Sequence, residues 1–211
     1  MITYILLLTT ATITFIEAMR TNVPTVRHVL NLETCISVVA WYFYSSFVQK
    51  LDDYDKANLS IDWAEITRTR YIDWCITTPM MLLTLCLVLG QQTNVPVHFS
   101  VFITIILLNY AMLYIGYLGE NHTLDRLTAT FTGFIAFFLM FAIIFIVFVK
   151  PKYFFTNYVL YGIYLFVWSL YGIVYLLNEE YKNISMNILD FIAKCFIGLG
   201  LWAFYTKIIH F

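Results

Sequence analysis

Residues 69–90 read TRYIDWCITTPMMLLTLCLVLG. As a helix, a segment of this length rises about 33 Å, enough to cross roughly 30 Å of hydrocarbon. Within it lie Arg70 and Asp73. A charged side chain in hydrocarbon costs several kcal/mol, so those that persist face the interior of a bundle and mark function. Arg70, Asp73, Thr77 and Thr84 are separated by three, four and seven residues, which places them in one stripe of an otherwise apolar helix. Pro79 falls in the same segment and frees a backbone carbonyl, with Thr77 and Thr78 placed to bond locally. A kinked helix with satisfied hydroxyls accounts for the proline and threonines, but gives no reason to bury a carboxylate.

The rest of the chain has the same character. Of 211 residues, 61% are apolar and 12% charged, too few charges to coat a water-soluble globule of this size. Cutting the apolar runs at polar, proline and asparagine clusters gives seven spans, 2–19, 28–49, 69–90, 97–118, 125–149, 153–177 and 185–209, and predicts an all-α seven-transmembrane-helix bundle forming one domain over residues 1–211. Strands of a membrane barrel would be half as long and alternate strictly. Pro24, Pro96 and Pro151 precede spans two, four and six, where a missing N–H is harmless. The first span has no Lys or Arg before it and ends at Glu17 and Arg20, so a retained helix is expected rather than a cleaved leader. A net charge of −1 and the absence of any nucleic-acid motif argue against DNA or RNA partners.

Cys35, Cys75, Cys86 and Cys195 are unpaired in spacing and read as buried packing residues, and the histidines lack metal-ligand spacing. Basic residues divide evenly between the two membrane faces. The sequons at Asn58, Asn121 and Asn183 all fall on one side and make that side the expected outside.

The last span holds a second ionisable set. Lys194 lies near its midpoint, too deep to reach water easily, and Asp190 is one turn earlier on the same face. A self-neutralising ion pair, or an ion-transport network, is the plainer account. The sharper one is that burial favours the neutral amine, which condenses with an aldehyde to an imine whose proton needs a counter-ion. Asp73, Asp190, Arg70 and a charged Lys194 total zero, so a proton acceptor is built in.

Four segments carry a family resemblance. RYIDWCITTPMML at Arg70–Leu82 resembles the third helix of microbial (type I) rhodopsins, and LDFIAKCFIGLGLW at Leu189–Trp202 resembles their seventh, with its Asp-x-x-x-Lys attachment motif. GYLGE at Gly116–Glu120 and VWSLYG at Val167–Gly172 are similar in kind to the proteorhodopsin branch and the rhodopsins of giant algal viruses. The resemblance implies all-trans-retinal held at Lys194 as a protonated Schiff base. Asp73 and Asp190 are then paired counter-ions, Asp73 is the primary proton acceptor, and Arg70 lies on the outer side. It also implies a retinal pocket lined by Trp74, Thr78, Met81 and Met112, by Gly116, Trp168, Tyr171 and Tyr175, and by Gly133 and Phe137. Retinal, protons or other small ions and the lipid bilayer are the implied partners, along with further copies of the chain, since pentamers are common in the family.

The three positions used to sort the family read Asp73, Thr77 and Thr84. Asp73 argues against a chloride pump. Thr84 is a departure, because familiar outward proton pumps carry an acid there and threonine cannot donate a proton at a useful pKa. Gly172 replaces the usual sixth-helix proline. Glu17 and Glu33 lie near one membrane face, where a solvated helix end is the ordinary account and a surrogate proton entry or pore ring the alternative. Glu179 and Glu180 read as a solvated turn or a release group. Three functions follow in order: a light-driven outward proton pump with a slow, donor-less cycle, a light-gated channel or sensor with the same chromophore, and a retinal-free transporter or structural bundle. None is an enzyme.

Overall fold

The computed structural model describes residues 2–208. Among these, seven helices follow one another: α1 (Ile2–Arg20), α2 (Pro24–Lys56), α3 (Trp63–Thr93), α4 (Phe99–Glu120), α5 (Arg126–Val149), α6 (Phe155–Val174) and α7 (Glu179–Tyr205). Short connections keep sequential helices antiparallel and adjacent, and α7 packs back on α1 and α2 to close the ring. Leu107, Phe131, Ile135 and Phe166 point outward, while the interior holds Asp73, Arg70, Lys194 and Glu33. This is the distribution of a bundle solvated by lipid.

Local chemistry sets the helix ends. Pro24 occupies the first turn of α2. Asp62 Oδ1 accepts from the Ala64 and Glu65 N–H groups, Asp125 from Thr128 N–H, and Asn178 from Tyr181 N–H, capping α3, α5 and α7. Asn94 closes α3 in the left-handed conformation, at φ 58°. The α2 and α3 helices both extend well beyond spans 28–49 and 69–90, because their polar ends form a hairpin stitched by Lys50 to Glu65 at 2.6 Å and the Tyr54 O–H to Glu65 at 2.8 Å. Among the described residues, six helices are long and apolar enough to cross a membrane. The α2 helix falls below that measure because its buried face carries Glu33, Ser37 and Tyr44.

Pro79 lies inside α3, and the Cys75 carbonyl that it frees accepts from the Tyr110 O–H of α4 at 3.2 Å. Thr77 and Thr78 bond back to the carbonyls of Asp73 and Trp74. The freed carbonyl is therefore paired from the neighbouring helix.

Two expectations change. Cys86 and Cys195 are buried, but Cys35 and Cys75 are exposed on the outer, lipid-facing surface of the bundle. Asn183 is not in a loop but inside α7, buried, with its side chain bonded to Arg70 and to the Glu179 carbonyl. A glycan cannot be accommodated there, so only Asn58 and Asn121, at loop ends, bear on orientation.

Candidate retinal site and its ion network

The site lies at mid-height between α3 and α7. Residues Phe191–Phe196 of α7 form a π-helical turn, a wider turn often found at functional positions, and Lys194 projects from it into the bundle. Lys194 Nζ donates to Asp73 Oδ2 at 2.6 Å and lies 3.6 Å from Asp190 Oδ2. Arg70 Nη1 is also 3.6 Å from Asp190 Oδ2. All four groups are essentially inaccessible, with exposures from 0% for Asp73 to 2% for Arg70. Two cations and two anions sum to zero, as such burial demands.

The two carboxylates differ in their company. Asp190 accepts from Tyr171 O–H at 2.6 Å, Tyr44 O–H at 2.7 Å and Trp74 Nε1–H at 3.1 Å. Three neutral donors and two nearby cations hold its charge in place. Asp73 has one partner, Lys194, through Oδ2, and its Oδ1 is buried without any. The oxygen with capacity for a proton is thus on Asp73, not Asp190.

Arg70 is fixed by residues that the sequence does not mark as part of the site, with Asn183 expected as an outer-loop sequon. Its Nη2 donates to Asn187 Oδ1 at 2.8 Å and Asn183 Oδ1 at 3.3 Å, Nη1 donates to Tyr44 O–H at 3.3 Å, and the guanidinium lies over the Phe47 ring. Asn187 and Asn183 sit three and seven residues before Asp190, on its stripe, which is a signal of the kind used for α3. Nothing in the sequence distinguishes Tyr44 from the chain's other tyrosines.

Beside the amine opens an apolar cavity of about 850 Å³, counting its open end. Lys194 and Asp190 stand at one end. Trp74 and Tyr171 meet edge to face in its lining, which also includes Thr78, Met81 and Trp168. Met112, Gly116, Gly133, Phe137 and Tyr175 border the remainder, so every residue expected to line a pocket faces this one space. The walls also include Phe134 and Gly172, which the sequence reading did not place there. A side chain at position 172 would overlap the Phe134 ring, so close packing accounts for that glycine. The cavity is apolar, aromatic-walled and lined by a primary amine with a carboxylate at 2.6 Å. It fits a long conjugated aldehyde.

Thr84 and Glu33 lie toward the opposite end from Arg70. Glu33 is 2% exposed, not a solvated helix end, and among the described residues it makes no salt bridge. Its Oε1 has no partner, nor do the polar atoms of Thr84, Ser37, Tyr164 and Trp168. The Thr84 hydroxyl approaches the Glu33 carboxyl without reaching hydrogen-bond geometry. Glu17 is half-buried at the end of α1. At the Arg70 end, Glu180 is exposed, whereas Lys182, expected as a loop charge, is 1% exposed and bonds Glu120 at 2.6 Å and Glu179 at 2.9 Å, with Arg126 completing the cluster.

With this geometry in hand, the comparisons agree on a class. The chain belongs to the bacteriorhodopsin-like protein family, whose model matches residues 1–208. It is similar to the solved viral rhodopsin OLPVRII, with 44% identity over 99% of this chain and 96% of that one, at a TM-score of 0.90. Two further structures share the fold: the blue light-absorbing proteorhodopsin from Med12, at 24% identity, 98% and 93% coverage and TM-score 0.74, and the proton pumping rhodopsin AR2 from the marine alga Acetabularia acetabulum, at 19%, 98% and 92%, and 0.76. No curated protein matches the sequence. The chain is therefore a microbial rhodopsin and an integral, multi-pass membrane protein, and its family implies a retinal chromophore.

Proposed function

We propose that the chain is a light-driven outward proton pump that holds retinal at Lys194, with Asp73 as proton acceptor and Glu33 as the source of the returning proton. The observation that carries this reading is the 2.6 Å contact from Lys194 Nζ, in the lining of an apolar cavity, to an Asp73 carboxylate whose second oxygen is unused. Lys194 would hold retinal, which when bound would supply light absorption and isomerisation.

The chain's own groups do the rest. Lys194 Nζ gives its proton to Asp73, and Asp190, anchored by Tyr44, Tyr171 and Trp74, keeps its negative charge opposite Arg70. Loss of the Lys194 charge leaves Arg70 and Asp190 as a neutral pair, so no lone charge is stranded. Asn183 and Asn187 hold Arg70 between the acceptor and the Glu120–Lys182 end. On the other side, an ionised carboxylate at Glu33 with no cation beside it would cost several kcal/mol. Glu33 therefore rests as an acid. Thr84, with an unused hydroxyl next to it, relays rather than donates. The acid missing from α3 is supplied by α2, so the cycle is not donor-less.

A light-gated channel or sensor is the second reading, favoured by Thr84 in place of the familiar donor. Expression with all-trans-retinal should give a coloured protein and a mass adduct on Lys194, both lost in Lys194→Ala; a colourless wild type would overturn retinal binding. In vesicles without an imposed gradient, steady light-dependent proton movement that collapses with a protonophore supports pumping. Current that only follows the applied voltage would replace the pump with a channel.

A further inference from the structure

One turn beyond Lys194, α7 carries Gly198, buried and facing the same side. A methyl group built there would lie 2.9 Å from Glu33 Oε2 and 3.1 Å from Thr10 Cγ2. The Glu33 carboxyl thus occupies the volume that a side chain at 198 would fill. Thr10 on α1 and Thr84 on α3, both at most 1% exposed, flank it. The missing side chain lets an acid rooted on α2 lie against α7 one turn along the backbone from Lys194, on the side away from Asp190.

Helix propensity gives no reason for glycine here, since it destabilises a helix interior by about 1 kcal/mol relative to alanine. The same helix contains an internal control. Gly200, two residues on, is exposed and has nothing within 4 Å of a built methyl group. Alanine at either position should aid the helix, but only at 198 does it meet the acid.

We propose that Gly198 is a positioning residue for proton return: by leaving its side-chain volume to Glu33, it sets the carboxyl within reach of the path through Thr84 to Lys194. The inference rests on the reading of Glu33 as proton source. Because the atom that a methyl group would meet is the far end of a flexible side chain, Gly198→Ala should displace the carboxyl and leave the bundle folded.

The test compares Gly198→Ala, Gly200→Ala, Glu33→Gln and the double variant Gly198→Ala/Glu33→Gln in the retinal-loaded full chain. One readout is the rate at which the Lys194 nitrogen regains its proton after a flash. The other is the carboxyl C=O stretch of Glu33 in the infrared spectrum of the dark protein, assigned by its loss in Glu33→Gln. Gly198→Ala should shift that band and slow proton return about ten-fold or more, as displacements near 1 Å do. Gly200→Ala should change neither. The double variant should be no slower than Glu33→Gln alone. If Glu33→Gln leaves the rate unchanged, Glu33 is not the proton source and the reading beneath the proposal falls. If Glu33→Gln slows return but Gly198→Ala shifts neither band nor rate, the proposal alone falls.

Discussion

The pairing of Lys194 with Asp73 predicts a specific pattern in a double-mutant cycle on the retinal-free protein. At 2.6 Å and an effective dielectric near 20, the attraction is about 6 kcal/mol, and at 3.6 Å the Lys194–Asp190 attraction is about 5 kcal/mol. Most of that offsets the desolvation of groups that are 1% exposed or less. Removing one partner strands the other, at a cost of about 3–5 kcal/mol. Lys194→Met leaves Asp73 without any partner and should fall near the upper end. Asp73→Asn leaves Lys194 with Asp190 and should fall near the lower end. The double variant Asp73→Asn/Lys194→Met has no stranded charge, and Arg70 still faces Asp190. Its stability should return to within about 2 kcal/mol of wild type. Unfolding free energy of all four proteins in the same detergent, followed by circular dichroism, measures the coupling. Strictly additive losses would refute the direct pairing, and with it the assignment of Asp73 as acceptor.

Lys182→Gln should destabilise the protein by about 3 kcal/mol, because Glu120, 5% exposed, would keep only Arg126 at 3.4 Å, and the same unfolding assay reads it. Tyr110→Phe should cost about 1 kcal/mol by leaving the Cys75 carbonyl unpaired, and that cost should vanish in a Pro79→Ala background, where the residue 79 N–H takes over the acceptor. If the cost is the same in both backgrounds, the Tyr110 bond does not serve the proline bend. Gly172→Ala should cost about 1–3 kcal/mol in the unfolding assay and slow retinal uptake measured by absorbance, since the Phe134 ring must move in the cavity wall to admit the methyl group. Uptake at the wild-type rate would show that this wall is not part of the entry route.

What was legible in the sequence follows from how strongly each feature violates its surroundings. A carboxylate or ammonium in a hydrocarbon-length segment is conspicuous, so Asp73, Arg70, Asp190 and Lys194 stood out, and helical spacing placed them on facing stripes. Pocket aromatics carry no such mark in a chain that is 19% aromatic. Trp74, Trp168 and Tyr171 were placed only through family resemblance. Tyr44 and Asn187 carry no mark because a neutral polar group costs little and is ordinary, and Asn183 reads instead as a loop sequon. Glu33 was misjudged for a related reason. Counting from the helix start puts it one to two turns from water, but depth also depends on what surrounds that end, and Thr10, Thr84 and Gly198 pack around it. The even split of basic residues was uninformative in a different way, since Lys182 turns inward and is no loop charge at all.

The two sides of Lys194 are built from opposite materials, and a one-way proton path on the proposed reading follows from that difference. Toward Arg70 the nitrogen meets formal charges locked by short bonds: Asp190 with three neutral donors, Arg70 with two asparagines and Tyr44. Toward Glu33 it meets no ion pair among the described residues, only buried hydroxyl, indole and carboxyl groups with unused bonding capacity at Thr84, Ser37, Tyr164, Trp168 and Glu33. A proton leaving a cation is drawn to an anion, so departure favours the Asp73 side. Once Asp73 is neutral, the field that drew the proton is gone, while Arg70 remains on that side to repel its return from outside. The neutral acid at Glu33 then meets an uncharged nitrogen and no competing cation. Exchanging this order requires putting a fixed charge on the Glu33 side. Thr84→Lys does so at a fully buried position, and it should stop proton return by holding Glu33 as a paired carboxylate. If flash spectroscopy of that variant finds return at the wild-type rate, the electrostatic asymmetry does not direct the proton.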